Sequence, residues 1–261
     1  MQPGPDQIDH ASRLKIAEDI ADQLKGQFKD RVMAIAIYGS LAKGTDGPYS
    51  DIEMDCVLDS VICDQRQEWI GGGWKAEIDI FSVNSILKKA AEVGPKWSIS
   101  HSGFIHNLPL YDSTNLYVHL RNTALRQPDL KFRRAMRDLI VKDMFEIEGK
   151  IRNSGFRKEF TALPYYAVEQ TRWGALLLGL FNRHLYSSSA KIFLESLELD
   201  SRPEGYDDLC HLVINGELSD SGNVLNACER FWAGVNAWAN ANAIKLIEDF
   251  RELLAREMGN I

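Results

Sequence analysis

The residue types best suited to chemistry in this chain gather in one short stretch. Tyr38-Gly39-Ser40 is followed, after ten residues, by Asp51-Ile52-Glu53, with Asp55 two positions further on. On a β-strand, side chains two apart share a face, so Asp51, Glu53 and Asp55 would stand together. Like charges so placed repel, and the arrangement is unfavourable unless a cation neutralises it. Magnesium suits an all-oxygen site and commonly takes one or two carboxylates together with substrate phosphates. Glu77 and Asp79 lie on a second alternating segment and can add a third ligand from a neighbouring strand. Gly39 and Ser40 offer the complementary half. Glycine lets backbone approach a phosphate closely, and the first turn of a helix presents free N–H groups to an anion. Ser40 adds a hydroxyl, and Lys43 can project a cation from the same turn. Either half alone is weak, because alternating acidic residues are more often a solvated strand face. Together they suit a metal–triphosphate complex and a phosphoryl-type transfer.

These residues need elements to position them. Val32–Tyr38 is an unbroken apolar run and reads as a buried strand, while residues 51–56 and 74–81 alternate as half-buried strands do. Residues 7–28 carry Ile8, Ile16, Ile20, Leu24 and Phe28 at helical spacing. Residues 39–50 read as turn and loop with a short helical turn from Ser40, residues 71–73 as a turn, Val83–Ala91 as a helix and 104–111 as a further strand. From Asp129 the pattern changes: Phe132, Met136, Ile140, Met144, Ile147 and Ile151 keep the helical period. Residues 164–186, 190–199, 206–214 and 223–255 complete a helical half. The expected class is therefore α+β, with a mixed sheet and helices over 1–126 and an all-helical bundle over 127–261.

Composition bounds the ligand. A formal net charge of −7 over 261 residues argues against nucleic acid as the main partner and suits a cationic one. Cys56, Cys63, Cys210 and Cys228 form no CxxC pair and no zinc spacing. Residues 1–12 hold no apolar signal core, and the longest apolar run, 173–181, is far short of a membrane span. The expectation is a cytoplasmic protein with reduced thiols and no membrane partner.

The conjunction of strand, Gly-Ser turn and acidic strands resembles the polymerase-β-like nucleotidyltransferase superfamily. The fuller stretch YGSLAKGTDGPYSDIEMDCV is similar to the aminoglycoside (kanamycin) 4′-O-nucleotidyltransferase family. Similarity continues at Trp74-Lys75-Ala76-Glu77, at Leu108-Pro109-Leu110-Tyr111-Asp112-Ser113, and at Phe145-Glu146-Ile147-Glu148-Gly149-Lys150 with Arg152-Asn153. It extends to Gly205-Tyr206-Asp207-Asp208-Leu209-Cys210 and Leu218-Ser219-Asp220-Ser221, so it covers nearly the whole chain.

That resemblance implies a polymerase-β-like catalytic domain that transfers AMP from MgATP to a sugar hydroxyl, the 4′, of kanamycin- or tobramycin-like antibiotics. Such a reaction confers resistance and releases pyrophosphate. Carried over by position, Asp51, Glu53 and Glu77 would hold magnesium, as two ions, and Gly39, Ser40 and Lys43 would hold the triphosphate. Glu146 would be the general base, and Lys150 would steady charge on the α-phosphate. The family forms homodimers with active sites at the interface, so the helical half would contribute substrate-site and dimer residues. Glu68, Lys75, Glu77, Asp79 and Glu146 would neighbour the substrate, a polycation for which carboxylates supply charge-assisted hydrogen bonds. Asp55 and Lys96 depart from the family's pattern.

Read without the resemblance, Glu146 and Lys150 are an ordinary i,i+4 ion pair worth ~0.3 kcal/mol. His101 and His106 read as filling residues, and Trp232 and Trp238 as core or dimer interface. Two alternatives share the same core: an enzyme that nucleotidylates a protein or another metabolite, and an inactive nucleotide-binding relative. GTP or UTP in place of ATP is also open.

Overall fold

In the computed structural model, which describes residues 4–246, 250, 251 and 254, the chain groups into two units. The first runs to Glu92 and includes Ile99–Gln127; the second takes Val93–Ser98 and the described residues from Pro128 onward.

The first unit is built on a sheet. Helix α1 (His10–Phe28) is capped by Asp9, whose carboxylate accepts from the Ser12 amide. It leads to β1 (Val32–Tyr38), the short α2 (Gly39–Ala42), β2 (Ile52–Leu58), β3 (Gln65–Gly71) and β4 (Trp74–Ser82). Then come α3 (Val83–Ala91), the short α4 (Trp97–Ser100) and α5 (Ser102–Ile105), β5 (Leu108–Asp112) and α6 (Leu116–Leu125). Among the described residues the strands order as β3-β4-β2-β1-β5. Only β2 and β4 pair in parallel, so the sheet is mixed. One face is apolar throughout: Ile35, Ile37, Ile52, Met54, Cys56, Ala76 and Ile78 cluster with Ala17, Ile20 and Ala21 of α1. The other face is apolar only at one end, where Ala34, Ala36, Val57 and Phe81 cluster with residues of α3 and α6.

Three expectations about this half need correction. Strand β3 was not predicted, because nearly all of it is exposed and a sheet-edge strand has no apolar alternation to show. Residues 104 and 105 end α5, so the fifth strand begins at Leu108 rather than 104. A helix, α6, fills residues 116–125, to which no element was assigned from sequence.

The second unit is helical. Helix α7 (Asp129–Asp138) passes into a π-helical turn over Leu139–Met144 and then into α8 (Phe145–Arg157). Helix α9 (Leu163–Phe181), with Pro164 in its first turn, is buried along most of its length and is the centre of the bundle. Helices α10 (Ile192–Ser196), α11 (Tyr206–Asn215) and α12 (Ser221–Ala241) follow. Helix α12 ends at Ala241, where the expected helix ran to 255; positions 247–249, 252, 253 and 255 of that expectation lie outside the described residues. Trp238 is core: its ring meets Phe181 edge-on at 4.7 Å, and its indole N–H donates to Ser201 Oγ at 3.0 Å. Trp232 meets Phe145 in the same manner. Among the described residues, no helix is long and apolar enough to cross a membrane.

Close backbone packing gives a stability test. A Cβ on Gly234 of α12 would lie 2.0 Å from the Glu204 carbonyl oxygen, so backbone would have to move. Alanine would gain about 1 kcal/mol in helix propensity, but forced overpacking costs about 1–3 kcal/mol and more where backbone cannot yield. Gly234→Ala is therefore expected to lower the urea unfolding midpoint; an unchanged or raised midpoint would show that this crossing is loose.

Candidate active site

The sheet register assembles an acidic face. In the parallel ladder, Glu53 stands beside Glu77 and Asp55 beside Asp79. Strand β1 places Tyr38 beside Glu53, and β3 places Glu68 beside Glu77 and Arg66 beside Asp79. Asp51 sits immediately before β2. A shift of one residue in any of these pairings would turn the carboxylates into the core under α1, so the apolar alternate residues enforce the face.

Burial and crowding set the ionisation here. Loss of solvent, then the charges of Asp51 and Glu77, push the Glu53 carboxyl up to about 7. Asp55 is buried and rises to about 7 as well, through desolvation first and the Asp79 charge second. Burial would also raise Asp79, but Arg66 outweighs it and holds that carboxyl below its ordinary value. The guanidinium grips Asp79 with Nε and Nη2, each at 2.8 Å, and its Nη1 lies 3.2 Å from Glu77 Oε2. Tyr38 OH donates to Asp79 Oδ2 at 3.1 Å. Lys75 Nζ bridges Glu77 and Glu68, the latter at 3.1 Å. The fold thus sets Glu53 beside Glu77 with Asp51 just before the same strand, and sets Glu68, Lys75 and Asp79 along the same edge.

The Gly-Ser turn meets this face directly. Gly39 has φ +72, which favours glycine, and a Cβ there would fall 1.8 Å from Glu53 Oε2, so any side chain would strain the turn and push that carboxylate aside. The Ser40 carbonyl accepts from the amides of Lys43 and Thr45, at 3.2 and 3.0 Å. Lys43 Nζ donates to Ser102 Oγ at 3.1 Å.

Among the described residues, no three His, Cys, Asp or Glu side chains converge closely enough to hold a metal ion as they stand. The Glu77 oxygens are turned to Lys75 and Arg66, which supply the positive charge instead. By donor type the set still fits a hard divalent cation: three carboxylates and no softer ligand. Burial is the larger cause of the upward push on Glu53, and the charges of Asp51 and Glu77 add to it; a cation there would oppose both.

Glu146 and Lys150 lie on α8 of the second unit, exposed, with Nζ 2.7 Å from Glu146 Oε1. The hydrogen bond and charge of Lys150 hold the Glu146 carboxyl below its ordinary value. Lys150 also lines a cavity of about 430 Å³ with Asn153, Arg157 and Tyr166. His101 is buried, and its imidazole is driven down to about 4 by desolvation, which leaves it neutral. Arg66, in contact with the acidic face, was not singled out from sequence, and Tyr38 was named there only as the start of the Gly-Ser stretch, with no role of its own. The one available signal was the alternation of Arg66 with Glu68 opposite a second acidic strand.

Comparison with known proteins follows the same lines. Residues 114–245 match the family described as KNTase C-terminal domain. The chain is 38% identical over 235 residues to an aminoglycoside nucleotidyltransferase (4′) from a Bacillus species, covering 90% of this chain and 93% of that protein. A protein of the same name from Staphylococcus aureus matches at the same identity and coverage. A crystal structure of a nucleotidyltransferase-like protein from Exiguobacterium sibiricum superposes with a TM-score of 0.53. It covers 86% of this chain and 74% of that one, and at 9% identity the likeness is one of fold alone.

The raised Glu53 carboxyl has a thermodynamic signature. Between its ordinary value of 4.5 and about 7, the folded protein keeps a proton that the unfolded chain has lost. The stability linked to Glu53 is therefore full below pH 4.5 and disappears as pH rises through about 7. In metal-free buffer, Glu53→Gln should resist urea better than the parent at pH 8, with the difference shrinking toward pH 4.5. Equal or lower resistance of the variant at pH 8 would contradict a strained Glu53.

Proposed function

This chain belongs to the aminoglycoside nucleotidyltransferase (4′) family and is thereby a nucleotidyltransferase, and from that premise we propose that it transfers AMP from ATP to the 4′-hydroxyl of kanamycin- and tobramycin-like antibiotics, inactivating them. The observation that carries the reading to this site is the register of Glu53 beside Glu77, with Asp51 adjoining and Gly39 pressed against Glu53.

In the proposed reaction the sugar oxygen attacks the α-phosphorus in line. The new O–P bond forms as the bond to the β-phosphate oxygen breaks, and pyrophosphate departs. Asp51, Glu53 and Glu77 would hold magnesium, as two ions, and the metal would neutralise the triphosphate and the leaving group. The backbone of Gly39 and Ser40 would take the phosphates as N–H donors, with the Ser40 hydroxyl and Lys43 beside them. Glu146 would accept the hydroxyl proton. Its pairing with Lys150 suppresses its basicity, so movement of Lys150 onto the α-phosphate would strengthen the base as charge develops. Glu68, Glu77 and Asp79, with Lys75 among them, would border the drug and receive its ammonium groups, for which the net charge of −7 is favourable. A homodimer, with Glu146 offered to a site built partly by the other copy, and a cytoplasmic location with ready ATP complete the proposal.

The test is direct. Folded protein given ATP, Mg²⁺ and tobramycin should yield the drug with the mass of one AMP added. Glu146→Gln should lower kcat by about 10²–10⁴-fold, the usual contribution of a general base, with little change in KM. No AMP adduct on tobramycin or kanamycin would overturn the proposed substrate, and unaltered kcat in Glu146→Gln would remove that residue as the base.

A further inference from the structure

The loop joining the Ser40 turn to Asp51 has little packing of its own. Gly44, Thr45, Gly47, Pro48 and Tyr49 are all exposed, yet the loop must set the acidic strand against the Gly-Ser turn. Its conformation is held from elsewhere. Arg13, on the first turn of α1, has a side chain only 1% exposed and forms an ion pair with Asp46, whose side chain is equally buried. The same guanidinium donates through Nη2 to the Pro48 carbonyl at 2.9 Å and to the Ile8 carbonyl at 3.0 Å. Around it, the Ile8 amide donates to the Pro48 carbonyl at 2.9 Å, His10 Nδ1 lies 2.6 Å from Asp46 Oδ1, and Gln7 donates to Tyr49 OH at 2.7 Å.

An ion pair whose side chains are shielded from water is a poor source of stability, since an apolar pair of similar volume commonly does as well or better. What a guanidinium provides and an apolar side chain does not is direction: several fixed donors that specify one path for the chain. Here they converge on Asp46 and Pro48, two points of the segment that runs from Ser40 to Asp51.

We propose that Arg13 is a positioning residue for nucleotidyl transfer, gripping Asp46 and the Pro48 carbonyl so that the 43–50 loop delivers Asp51 beside Glu53, which the strand register holds against the Gly39-Ser40 turn. The inference rests on the functional reading above for its chemistry, but its geometry belongs to Arg13 alone. A slack loop would let Asp51 drift, and a misplacement near an ångström at a reacting site costs about 10²-fold in rate.

The experiment separates positioning from mere stability. Arg13→Met leaves the Asp46 carboxylate with the His10 imidazole alone in place of the guanidinium and should lower the melting temperature. Arg13→Met/Asp46→Asn removes the charge left behind and should recover most of it. Mn²⁺ binding without nucleotide, followed by loss of the free-ion paramagnetic signal, is measured alongside kcat and KM for tobramycin. The double variant is expected to bind Mn²⁺ about tenfold more weakly, the usual effect of losing support behind metal ligands. Its kcat should fall about 10²-fold while KM holds. A double variant as stable as the parent, with parental Mn²⁺ affinity and kcat, would overturn the proposal. Should the double variant not fold, Arg13→Lys, which keeps the charge and not the fork, takes the same comparison with the same two readings. Failure of the parent to modify any aminoglycoside would strike the functional reading instead, while the Mn²⁺ comparison would still decide the role of Arg13.

Discussion

Carboxylates that repel one another are forced onto one face of the sheet, and most of the first unit is explained by what enforces and what relieves that repulsion. The enforcing element is the apolar side of the same strands. Ile52, Met54 and Cys56 of β2 and Ala76, Ile78 and Ile80 of β4 are buried with α1, so Glu53, Asp55, Glu77 and Asp79 have nowhere else to go. Burial of that set, at roughly 1.5–3 kcal/mol for each large side chain, opposes the repulsion among these carboxylates, of which Asp55 is itself buried. The relief comes from within: Arg66 on Asp79 and Glu77, and Lys75 on Glu77 and Glu68. Asp51 and Glu53 receive no comparable ion pair among the described residues, and Glu53, like the buried Asp55, is driven toward neutrality. The under-neutralised corner is also the one against which Gly39 is packed, which is where the proposed metal–triphosphate would bring its charge.

The same residues that form the proposed site therefore strain the fold, a usual relation between a site and its scaffold. The Gly39 conformation, at a φ that side chains rarely adopt and with the Glu53 carboxylate lying where a Cβ would go, is part of that relation. So is the 43–50 loop, which depends on a buried arginine from α1 instead of its own packing.

How much was legible in the sequence follows from where each signal comes from. Val32–Tyr38 and Val83–Ala91 are found at their predicted limits because an unbroken apolar run and an amphipathic turn carry their own pattern. The acidic face was visible because period-two alternation encodes a face directly. Strand β3 was not, since an exposed edge strand has no buried side to mark it, and with it went Arg66. The π-turn at Leu139–Met144 was invisible because one residue of extra winding leaves the apolar repeat nearly intact on either side. Arg13 lay in a helix whose polar residues look solvated until tertiary structure buries one of them. Pairing of Glu53 with Glu77 in particular required the strand order, which no local pattern contains.

The account stands on divalent cations and a triphosphate taking the place beside Asp51, Glu53 and Glu77. Crystals grown with Mn²⁺ and an ATP analogue that cannot be cleaved between its α- and β-phosphates, measured at the manganese absorption edge, test it most directly. The expected result is anomalous density between those three carboxylates and the phosphates, with the triphosphate lying along Gly39-Ser40. Anomalous density elsewhere, or nucleotide bound while Asp51 and Glu53 touch neither metal nor phosphate, would contradict it.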